Sequence, residues 1–445
     1  MLIATAVVVP VVLVASLVSS VLILLFRPLP TTDADTRLLG LDERAEIVRD
    51  SWGVPHIFAR TTHDLFYLQG YAVAQDRLFQ LELLRRAGRG QLAVVLGPAG
   101  AESDTAASGL ASAAEAEEAR LGASARAAAQ AYADGVNKFL EQHGESLPLE
   151  FTLLGFRPAP WSVGDTLVVQ RLLARERGAG SALGRAIAGG GTDAGASCRA
   201  TVGLRSASGR PFLEGDPRLA GEADPSLWYA VALTGPDDEV AGLSAPGVPG
   251  IAMGHNRRIA WSFVAGADAS LLRDLDASLA VARAGDAASF AAALRSARSA
   301  TPAYCYADAA GHIGVATGAA AAFDPPGGEI RQGAAPSALA AAPGPIVFRH
   351  PLAAVLPPAL RSPLAGLLTA GPYDPPAGGA LERIKVDLGD LDATRAVLPL
   401  GDSGQPAGRH HGDQTASWRA GLLLPLPLSR ARLGTGEATL VLRPR

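Results

Sequence analysis

Three neighbouring residues, Ala196, Ser197 and Cys198, stand where a glycine- and alanine-rich stretch gives way to the alternating pattern of a strand. A serine hydroxyl or a cysteine thiol at this place could attack a carbonyl carbon, whereas the methyl group of alanine could not. The strand ends at a turn containing Ser208 and Gly209, and a second strand follows. The chemistry open to the chain therefore depends on which of the three residues, if any, is placed as the nucleophile.

Cysteines and histidines are the other candidate reactive groups. Two cysteines, Cys198 and Cys305, cannot form a disulfide framework or a zinc site, although one bridge between them stays open. The alternative for Cys198 is a small buried residue near Cys305 on a neighbouring strand. In the segment GRHHGDQ, His410 and His411 precede Asp413. Adjacent histidines on a strand point to opposite faces, so we expect no shared metal here.

The N-terminal stretch is the most distinct element of the sequence. Leu2 to Phe26 contains no charged residue and is followed by Arg27 and Pro28. As a helix it would be about 37 Å long, enough to cross a hydrocarbon core of about 30 Å with some tilt. A cleaved signal peptide is the alternative, but the apolar run continues through VLILLF without a small-residue cleavage site, and no basic residue precedes it. We predict a transmembrane helix, whose orientation Arg27 alone does not fix.

The composition excludes several classes of function. A hydrophobic fraction of 48% in 445 residues supports a sizeable core in one large domain or two ordinary ones. The net charge is −4 and no block is rich in lysine or arginine, so we expect no nucleic-acid partner. The sequence contains no phosphate-binding glycine loop and no pair of closely spaced cysteines, so it does not support a nucleotide or zinc function.

The segment after the anchor predicts two strands and a long helix. The strands AEIVR and PHIFA are joined by a turn at Asp50 to Gly53, and Thr62 is the predicted N-cap of the helix. Gln75, Asp76 and Arg77 are interpreted as a polar clasp within this helix. Its apolar stripe consists of Leu65, Leu68, Ala72, Phe79 and Leu83.

Several long motifs occur in a fixed order along the chain. They are GVPHI, DLFYLQGYAVAQDRLFQLELLRR, AYADGVNKFLEQH, PLEFTLLGFRPAPWSVGDTL, RSASGRPFLEGDPRL, GLSAPGVPGIAMGHNRRIAW, YCYADAAGHIG and LPLGDSGQPAGRHHGDQTASW. From about residue 45 to the C-terminus, the chain resembles penicillin acylases. Members of that family are much longer, and two blocks are missing here, one before Gly189 and one between about Ala322 and Leu381. The expected division is an anchor (1–27), a first-chain-like segment (28–188), a glycine-rich spacer (189–195) and a second-chain-like segment (196–445) shortened around 322–381.

The resemblance implies an α+β fold, the four-layer αββα sandwich of N-terminal-nucleophile hydrolases. In that family a precursor cuts itself, and the new N-terminal serine attacks an acyl-amide bond. The α-amine of that serine acts as general base, which suits a group that titrates near pH 7.7–8.0. A backbone N–H and an asparagine side chain stabilise the oxyanion, at roughly 3 kcal/mol per donor in comparable sites.

The family motif places an alanine at the nucleophile position. The family junction reads glycine, serine, asparagine, any residue, tryptophan, and without gaps these positions fall on Gly195, Ala196, Ser197, Cys198 and Arg199. A shift of one residue would make Ser197 the nucleophile, and a shift of two would make it Cys198. Either shift needs a bulge in the strand, because a one-residue slip reverses the facing of every side chain. The register is anchored by Gly203, Arg205, Gly209, Pro211, Asp216 and Pro217.

Further positions depart from the family pattern. Arg218 stands where many relatives carry a histidine that steadies the nucleophile, and Ala265 matches the backbone oxyanion donor. The chain has only two asparagines, Asn137 and Asn256, and Asn256 belongs to the GHNRRIAW motif, so we expect the side-chain donor to be missing.

We also expect the family's calcium site to be lost and no cofactor to be used. The residues that occupy the acidic stretch are Ala269, Ser270, Leu271 and Leu272, and Asp268 alone cannot supply the six or more oxygens of a calcium site.

Two functions follow from these expectations, and the sequence leaves open whether the chain is an enzyme. The first is hydrolysis of an acyl-amide bond in a small acylated molecule, such as an antibiotic side chain or an acyl-homoserine lactone, by a weak or inactive copy. The second is a catalytically dead scaffold that binds an acyl group or a partner. In both, the N-terminal helix holds the protein in the cell membrane as a single-pass protein with an extracytoplasmic domain.

Overall fold

A computed structural model describes most of the chain. The described residues are 2–175, 182–188, 196–217, 223–264, 274–299, 301–325, 328–332, 346–357, 361, 365, 369–373, 383–433, 436 and 438–444. The helices are α1 (Leu2–Phe26), α2 (Thr62–Arg89), α3 (Ala93–Leu96), α4 (Ala101–Ala106), α5 (Leu110–Glu118), α6 (Ala123–His143), α7 (Leu149–Leu154), α8 (Val163–Arg175), α9 (Ala182–Ala188), α10 (Leu275–Arg283), α11 (Ala287–Ser296), α12 (Leu352–Val355), α13 (Thr415–Arg419) and α14 (Arg430–Leu433).

The strands in the described part of the chain form a large sheet of eleven strands, a small sheet of six strands and one hairpin. They are β1 (Ala34–Arg37), β2 (Ala45–Arg49), β3 (Pro55–Phe58), β4 (Ser197–Thr201), β5 (Phe212–Asp216), β6 (Tyr229–Thr234), β7 (Glu239–Ser244), β8 (Met253–Asn256), β9 (Ile259–Val264), β10 (Ala303–Asp308), β11 (Ile313–Ala316), β12 (Ala321–Phe323), β13 (Glu329–Gln332), β14 (Ile346–Arg349), β15 (Thr369–Tyr373), β16 (Arg383–Asp387), β17 (Arg395–Val397), β18 (Leu424–Pro425) and β19 (Ala438–Arg443). Within the described residues the large sheet has the order β1-β19-β2-β3-β6-β7-β8-β9-β10-β11-β12. The small sheet has the order β13-β4-β5-β16-β17-β18, and β14 pairs with β15.

The two sheets pack face to face through β4 and β5 on one side and β9 and β10 on the other. A disulfide between Cys198 of β4 and Cys305 of β10 joins them. Gly215 of β5 permits the close approach, because a Cβ atom there would lie 2.2 Å from the Oγ atom of Ser262. The apolar side chains between the sheets are part of the main hydrophobic core.

Helices cover the opposite face of the large sheet. Tyr304 and Tyr306 flank Cys305 on β10, and side chains alternate along a strand, so both tyrosines face away from the small sheet. Phe290 of α11 packs against them, with ring centroids 6.0 Å and 4.9 Å away. The described residues thus form a mixed α/β structure with the layer order helices, large sheet, small sheet.

The outer face of the small sheet is charged. Arg199 and Glu214 form an ion pair across β4 and β5, with side chains that are 35% and 26% exposed. Lys385 of β16 lies 3.7 Å from Glu214 and is 44% exposed. The predicted αββα sandwich has a second helix layer over this face. Such a layer would have to cover these solvent-exposed charges.

Helix α2 runs through the centre of the helical layer. All five predicted stripe residues are buried. The predicted N-cap is wrong by one position, because Thr61, and not Thr62, accepts the hydrogen bond from the backbone N–H of Asp64. Two glycines allow α2 and α6 to cross closely, since a Cβ atom on Gly70 or on Gly135 would lie about 2 Å from a carbonyl oxygen of the other helix.

The N-terminal helix α1 is long and apolar enough to cross a membrane. Val9–Phe26 has a mean hydropathy of 2.7, and none of this stretch is buried in the protein.

Candidate active site

Ala196, which is predicted from the sequence to stand at the family nucleophile position, lies in the hydrophobic core. Ala196 directly precedes β4 and is 1% exposed. It belongs to the same apolar cluster as Cys198 and Ala200. A methyl group in this environment has no proton to give and no lone pair with which to attack a substrate.

Strand β4 pairs with β5 in a regular antiparallel register. Ser197 lies opposite Asp216, and Thr201 lies opposite Phe212, without an offset between them. Because side chains alternate, Ser197 and Arg199 share one face of the sheet, and Cys198 and Ala200 share the other. The bulge that a shifted register requires is not present in this pairing from Ser197 to Thr201.

The sulfur of Cys198 is bonded to that of Cys305. The Cα atoms of the two residues are 6.1 Å apart, and 107 positions separate them in sequence. A disulfide sulfur is not a thiolate, so Cys198 can act as a nucleophile only after reduction. The sequence leaves open either a bridge between the two cysteines or a small buried Cys198 near Cys305. The structure contains the bridge.

Four predicted site features have no described geometry. Arg218, Ala265, Asp268 and the stretch 269–272 lie outside the described residues. The predicted roles of Arg218 at the family histidine position and of the Ala265 backbone as an oxyanion donor therefore stay predictions, as does the loss of the calcium site.

Both asparagines hold backbone segments in place. Asn137 of α6 donates to the carbonyl of Trp161 at 2.9 Å and accepts from the backbone N–H of the same residue at 2.6 Å. The amide group of Asn256 donates to the carbonyls of Ala282 and Ala284 at 2.8 Å, and its oxygen accepts two backbone N–H groups in the following turn. Each side chain is thus occupied by structural hydrogen bonds.

The polar triplet of α2 reaches well beyond its own helix. Arg77 donates to the carbonyl oxygens of Ser226 at 2.8 Å and Gly401 at 3.2 Å, and also to that of Asp402. Asp76 accepts hydrogen bonds from Arg49 and Tyr229. The interpretation as a clasp within one helix is therefore too narrow, because these side chains tie α2 to β2, to β6 and to the segment after β17.

The two adjacent histidines lie in a turn and not on a strand. The Nδ1 atom of His410 is 2.8 Å from Oδ2 of Asp413, whereas Nδ1 of His411 is 3.3 Å from the carbonyl oxygen of Ser403. Each ring therefore has its own partner.

A buried charged cluster that the sequence analysis missed lies apart from the junction. Glu150 at the start of α7, Asp224 before β6 and His350 after β14 line one cleft. Glu150 and His350 are 200 positions apart, and Asp224 lies between them in sequence, so no local motif brings the three together. The only sequence signal is a glutamate within the largely apolar stretch PLEFTLL.

Comparison with known proteins supports the resemblance seen in the sequence. The family model described as penicillin amidase matches residues 44–272 and 348–435, which is more than half of the chain. The chain belongs to the penicillin amidase family. The unmatched stretch between these ranges overlaps the predicted shortened region, 322–381, and begins earlier in the chain.

The relatives of this family member are longer proteins. Penicillin acylase 2 proenzyme of Pseudomonas sp. (strain SE83) is 31% identical over 292 aligned residues, and the match covers 52% of this chain and 38% of that protein. Acyl-homoserine lactone acylase QuiP of Pseudomonas aeruginosa is 26% identical over 52% of this chain and 34% of its own length. Penicillin G acylase of Escherichia coli is 38% identical over 130 residues, 28% of this chain and 15% of that protein. This penicillin amidase family member thus spans well under half the length of these relatives.

One solved structure is also similar. A thermostable penicillin G acylase from Alcaligenes faecalis is 37% identical to this chain. The match covers 29% of this chain and 72% of the chain of that structure, with a TM-score of 0.27.

Proposed function

We propose that this chain is a penicillin-amidase-family protein whose acyl-amide hydrolysis is weak or absent. The observation that carries the proposal is the buried Ala196 at the position where the family motif places the nucleophile. Without a hydroxyl or thiol at that point, neither self-cleavage nor formation of an acyl-enzyme has an attacking atom.

The two substitute nucleophiles are less well suited to the reaction. Cys198 is bound in a disulfide. Ser197 begins β4 with its side chain on the face opposite Cys198 and Ala200, and it is 8% exposed. A serine on that face does not reach the space between the sheets that Ala196 and Cys198 occupy.

The family reaction defines the substrate class for any residual activity. Two of the relatives are named for penicillin and one for acyl-homoserine lactones, so the substrate would be a small molecule with an acyl-amide bond. Neither a metal nor a cofactor is part of this proposal. The fold we propose is the αββα sandwich, with a second helix layer over the charged face of the small sheet.

The second candidate function is a membrane-tethered scaffold that binds an acyl group or a partner. It is supported by a core that is continuous across both sheets and the helical layer although Ala196 has no attacking atom. In this candidate α1 is an anchor and the rest of the chain lies outside the cytoplasm. The disulfide supports that location, because such bonds persist in oxidising compartments.

Turnover measurements test the first proposal. We expect the purified full chain to show no hydrolysis of a phenylacetyl anilide or a long-acyl anilide above the rate of Ala196→Gly, which also lacks a nucleophile there. Wild-type turnover that disappears on Ser197→Ala would overturn the proposal and assign the nucleophile to Ser197. Turnover that appears only with a reductant and disappears on Cys198→Ala would assign it to Cys198.

Protease treatment of intact cells tests the location. If residues after Arg27 lie outside the cytoplasm, added protease removes the folded part. Complete protection until the cells are lysed contradicts the proposed orientation.

A further inference from the structure

A polar cavity of about 370 Å³ lies beside the segment that follows α1. Its wall is formed by residues of the segment 29–33, by Arg49 of β2, by Asp76 of α2 and by the turn 403–410. The volume is within the range of small-molecule sites in proteins, about 300–1,000 Å³. No residue of the junction 196–198 lines this cavity. It is therefore a separate place in the molecule with room for a small ligand.

The most buried part of the wall is an ion pair whose hydrogen-bonding capacity is only partly used. Arg49 lies 2.8 Å from Asp76, and the two side chains are 5% and 9% exposed. Arg49 donates to the carbonyl oxygen of Gly53, to Oδ2 of Asp76 and to Oε1 of Gln75, which takes three of its five N–H groups. Tyr229 donates to the same Oδ2. Within the described part of the chain, the other N–H groups of Arg49 and Oδ1 of Asp76 have no partner, so the pair offers both donors and an acceptor to a ligand.

The charges that line the cavity balance one another. Besides the buried ion pair, the exposed side chains of Arg409 and Asp33 line its rim. His410 also lines it, and Nδ1 of this ring is 2.8 Å from Oδ2 of Asp413. Two arginines and two aspartates do not favour a ligand of a single charge. They favour a ligand that carries a cation and an anion at once, because each charge then meets an opposite one.

The segment 29–33 places the cavity close to the end of α1. Leu29 lines the cavity and follows Phe26, the last residue of α1, by three positions, so the two lie at most about 11 Å apart along the chain. The headgroup region of a bilayer is roughly 5–8 Å thick on each side of the hydrocarbon core. If α1 is the proposed membrane helix, a zwitterionic phospholipid headgroup is therefore the nearest ligand with both charges. An ethanolamine headgroup has a primary ammonium group with three N–H donors and a phosphate group that accepts.

We propose that this cavity binds a phosphoethanolamine group, a primary ammonium joined through two carbons to a phosphate. The ammonium group donates to Oδ1 of Asp76, and the phosphate accepts from the remaining N–H groups of Arg49 and from Arg409. The group belongs either to a membrane phospholipid or to a soluble phosphodiester, and only the lipid source rests on the proposed anchor. The site goes beyond the proposed function, because it needs neither a nucleophile nor the junction.

Calorimetric titration of the full chain in maltoside micelles with glycerophosphoethanolamine tests this site. We expect saturable binding of one equivalent. Glycerophosphocholine, which has no N–H donor, and glycerol 3-phosphate, which has no ammonium group, should each bind at least about ten-fold more weakly, because each loses a charge-assisted hydrogen bond. Absence of binding would overturn the proposal, as would equal binding of the ethanolamine and choline compounds.

Native mass spectrometry separates the two sources of the ligand. The full chain is released from micelles that contain equal amounts of phosphatidylethanolamine and phosphatidylcholine. Preferential retention of one phosphatidylethanolamine assigns the site to a lipid. Binding of glycerophosphoethanolamine without such retention assigns it to a soluble ligand, which contradicts the lipid source and supports the phosphoethanolamine chemistry. Neither result depends on turnover at the junction, so a failure of the hydrolysis proposal leaves both unchanged.

Variants separate binding in the cavity from binding elsewhere on the chain. Thr32 lines the cavity, whereas the preceding exposed residue, Thr31, does not. Thr32→Trp fills part of the cavity and should weaken glycerophosphoethanolamine binding at least about ten-fold, because the larger side chain occupies the space of the ligand. Thr31→Trp is the matched control and should bind as the wild type does. Unchanged binding in Thr32→Trp contradicts the proposal. Should that variant not fold, the comparison of the three soluble ligands on the wild-type chain decides the question.

Discussion

A disulfide between Cys198 and Cys305 links the two sheets. Cys198 lies two residues after Ala196, the position at which the family motif is predicted to place the nucleophile. The bond lies between β4 of the small sheet and β10 of the large one, with Ala196 in the same apolar cluster. A covalent link between the sheets therefore occurs two residues from the predicted nucleophile position. Three consequences of this arrangement and of the surrounding core can be measured, and two more concern the junction itself.

Loss of the disulfide should destabilise the fold. The bond closes a loop of 107 positions, for which the chain-entropy estimate is roughly 4–5 kcal/mol of unfolding free energy. Denaturant unfolding of Cys305→Ser should show a loss of about this size. A reductant should destabilise the wild type similarly and have no effect on the double variant Cys198→Ala, Cys305→Ala. A wild-type midpoint that is the same with and without reductant would show that the bond contributes nothing.

The buried guanidinium of Arg77 should be needed for stability. Arg77→Met leaves the carbonyls of Ser226, Gly401 and Asp402 without their donor in the core. Removing one partner of such a buried charged cluster costs roughly 3–5 kcal/mol, which denaturant unfolding can measure. Arg257→Met is the matched control, because Arg257 pairs with Glu239 at the surface and should cost no more than about 1 kcal/mol. Similar losses in both variants would contradict a special role for Arg77.

Acid should destabilise the fold through His255. Burial is the main cause that lowers the pKa of this histidine from 6.5 to about 4. The unfolded chain therefore binds the proton more readily, so the contribution of His255 is fully present above pH 6.5 and is lost as the pH falls from 6.5 to 4. The loss should reach roughly 3 kcal/mol at the end of this window.

The pH effect can be isolated by replacing the ring. The difference in unfolding free energy between the wild type and His255→Gln should shrink as the pH falls from 7 to 4.5. His255 lies 3.0 Å from Thr394 through its Nε2 atom, so the variant also loses a pH-independent contact. A difference that is constant over this range would refute the assigned pKa shift.

The sequence predicts the parts of this structure that depend on local patterns. The buried stripe of α2 and the strands β2 and β3 follow from local residue patterns, and α1 follows from its long uncharged apolar run. The family follows from long motifs in order. Contacts between distant segments do not have such a signal. The sequence leaves the pairing of Cys198 with Cys305 open. Arg77 donates to carbonyl oxygens that are 324 and 325 positions away, and no local pattern shows that the chain brings them together. Glu150 and His350 are likewise found together only in three dimensions.

The junction should regain part of its chemistry when the family residues are restored. Ala196→Ser with Ser197→Asn returns the serine and asparagine of the motif. The side-chain oxyanion donor would still be absent, and such a loss costs about 10²–10³ in turnover, so we expect slow self-cleavage and weak anilide hydrolysis. Ala200→Ser, which adds a hydroxyl to the same face of β4, is the control and should do neither. A double variant that is inert and uncleaved would show that the missing segments also prevent the reaction.

Denaturing mass spectrometry of the purified wild-type chain shows whether the junction carries a working nucleophile. Self-cleavage in this family uses the same hydroxyl or thiol that later performs catalysis, and Ala196 has neither. We predict that the junction is uncut and that residues 195–199 are found in one covalent chain. Two fragments produced by a cut before Ser197 or before Cys198, which become one when that residue is changed to alanine, would contradict it.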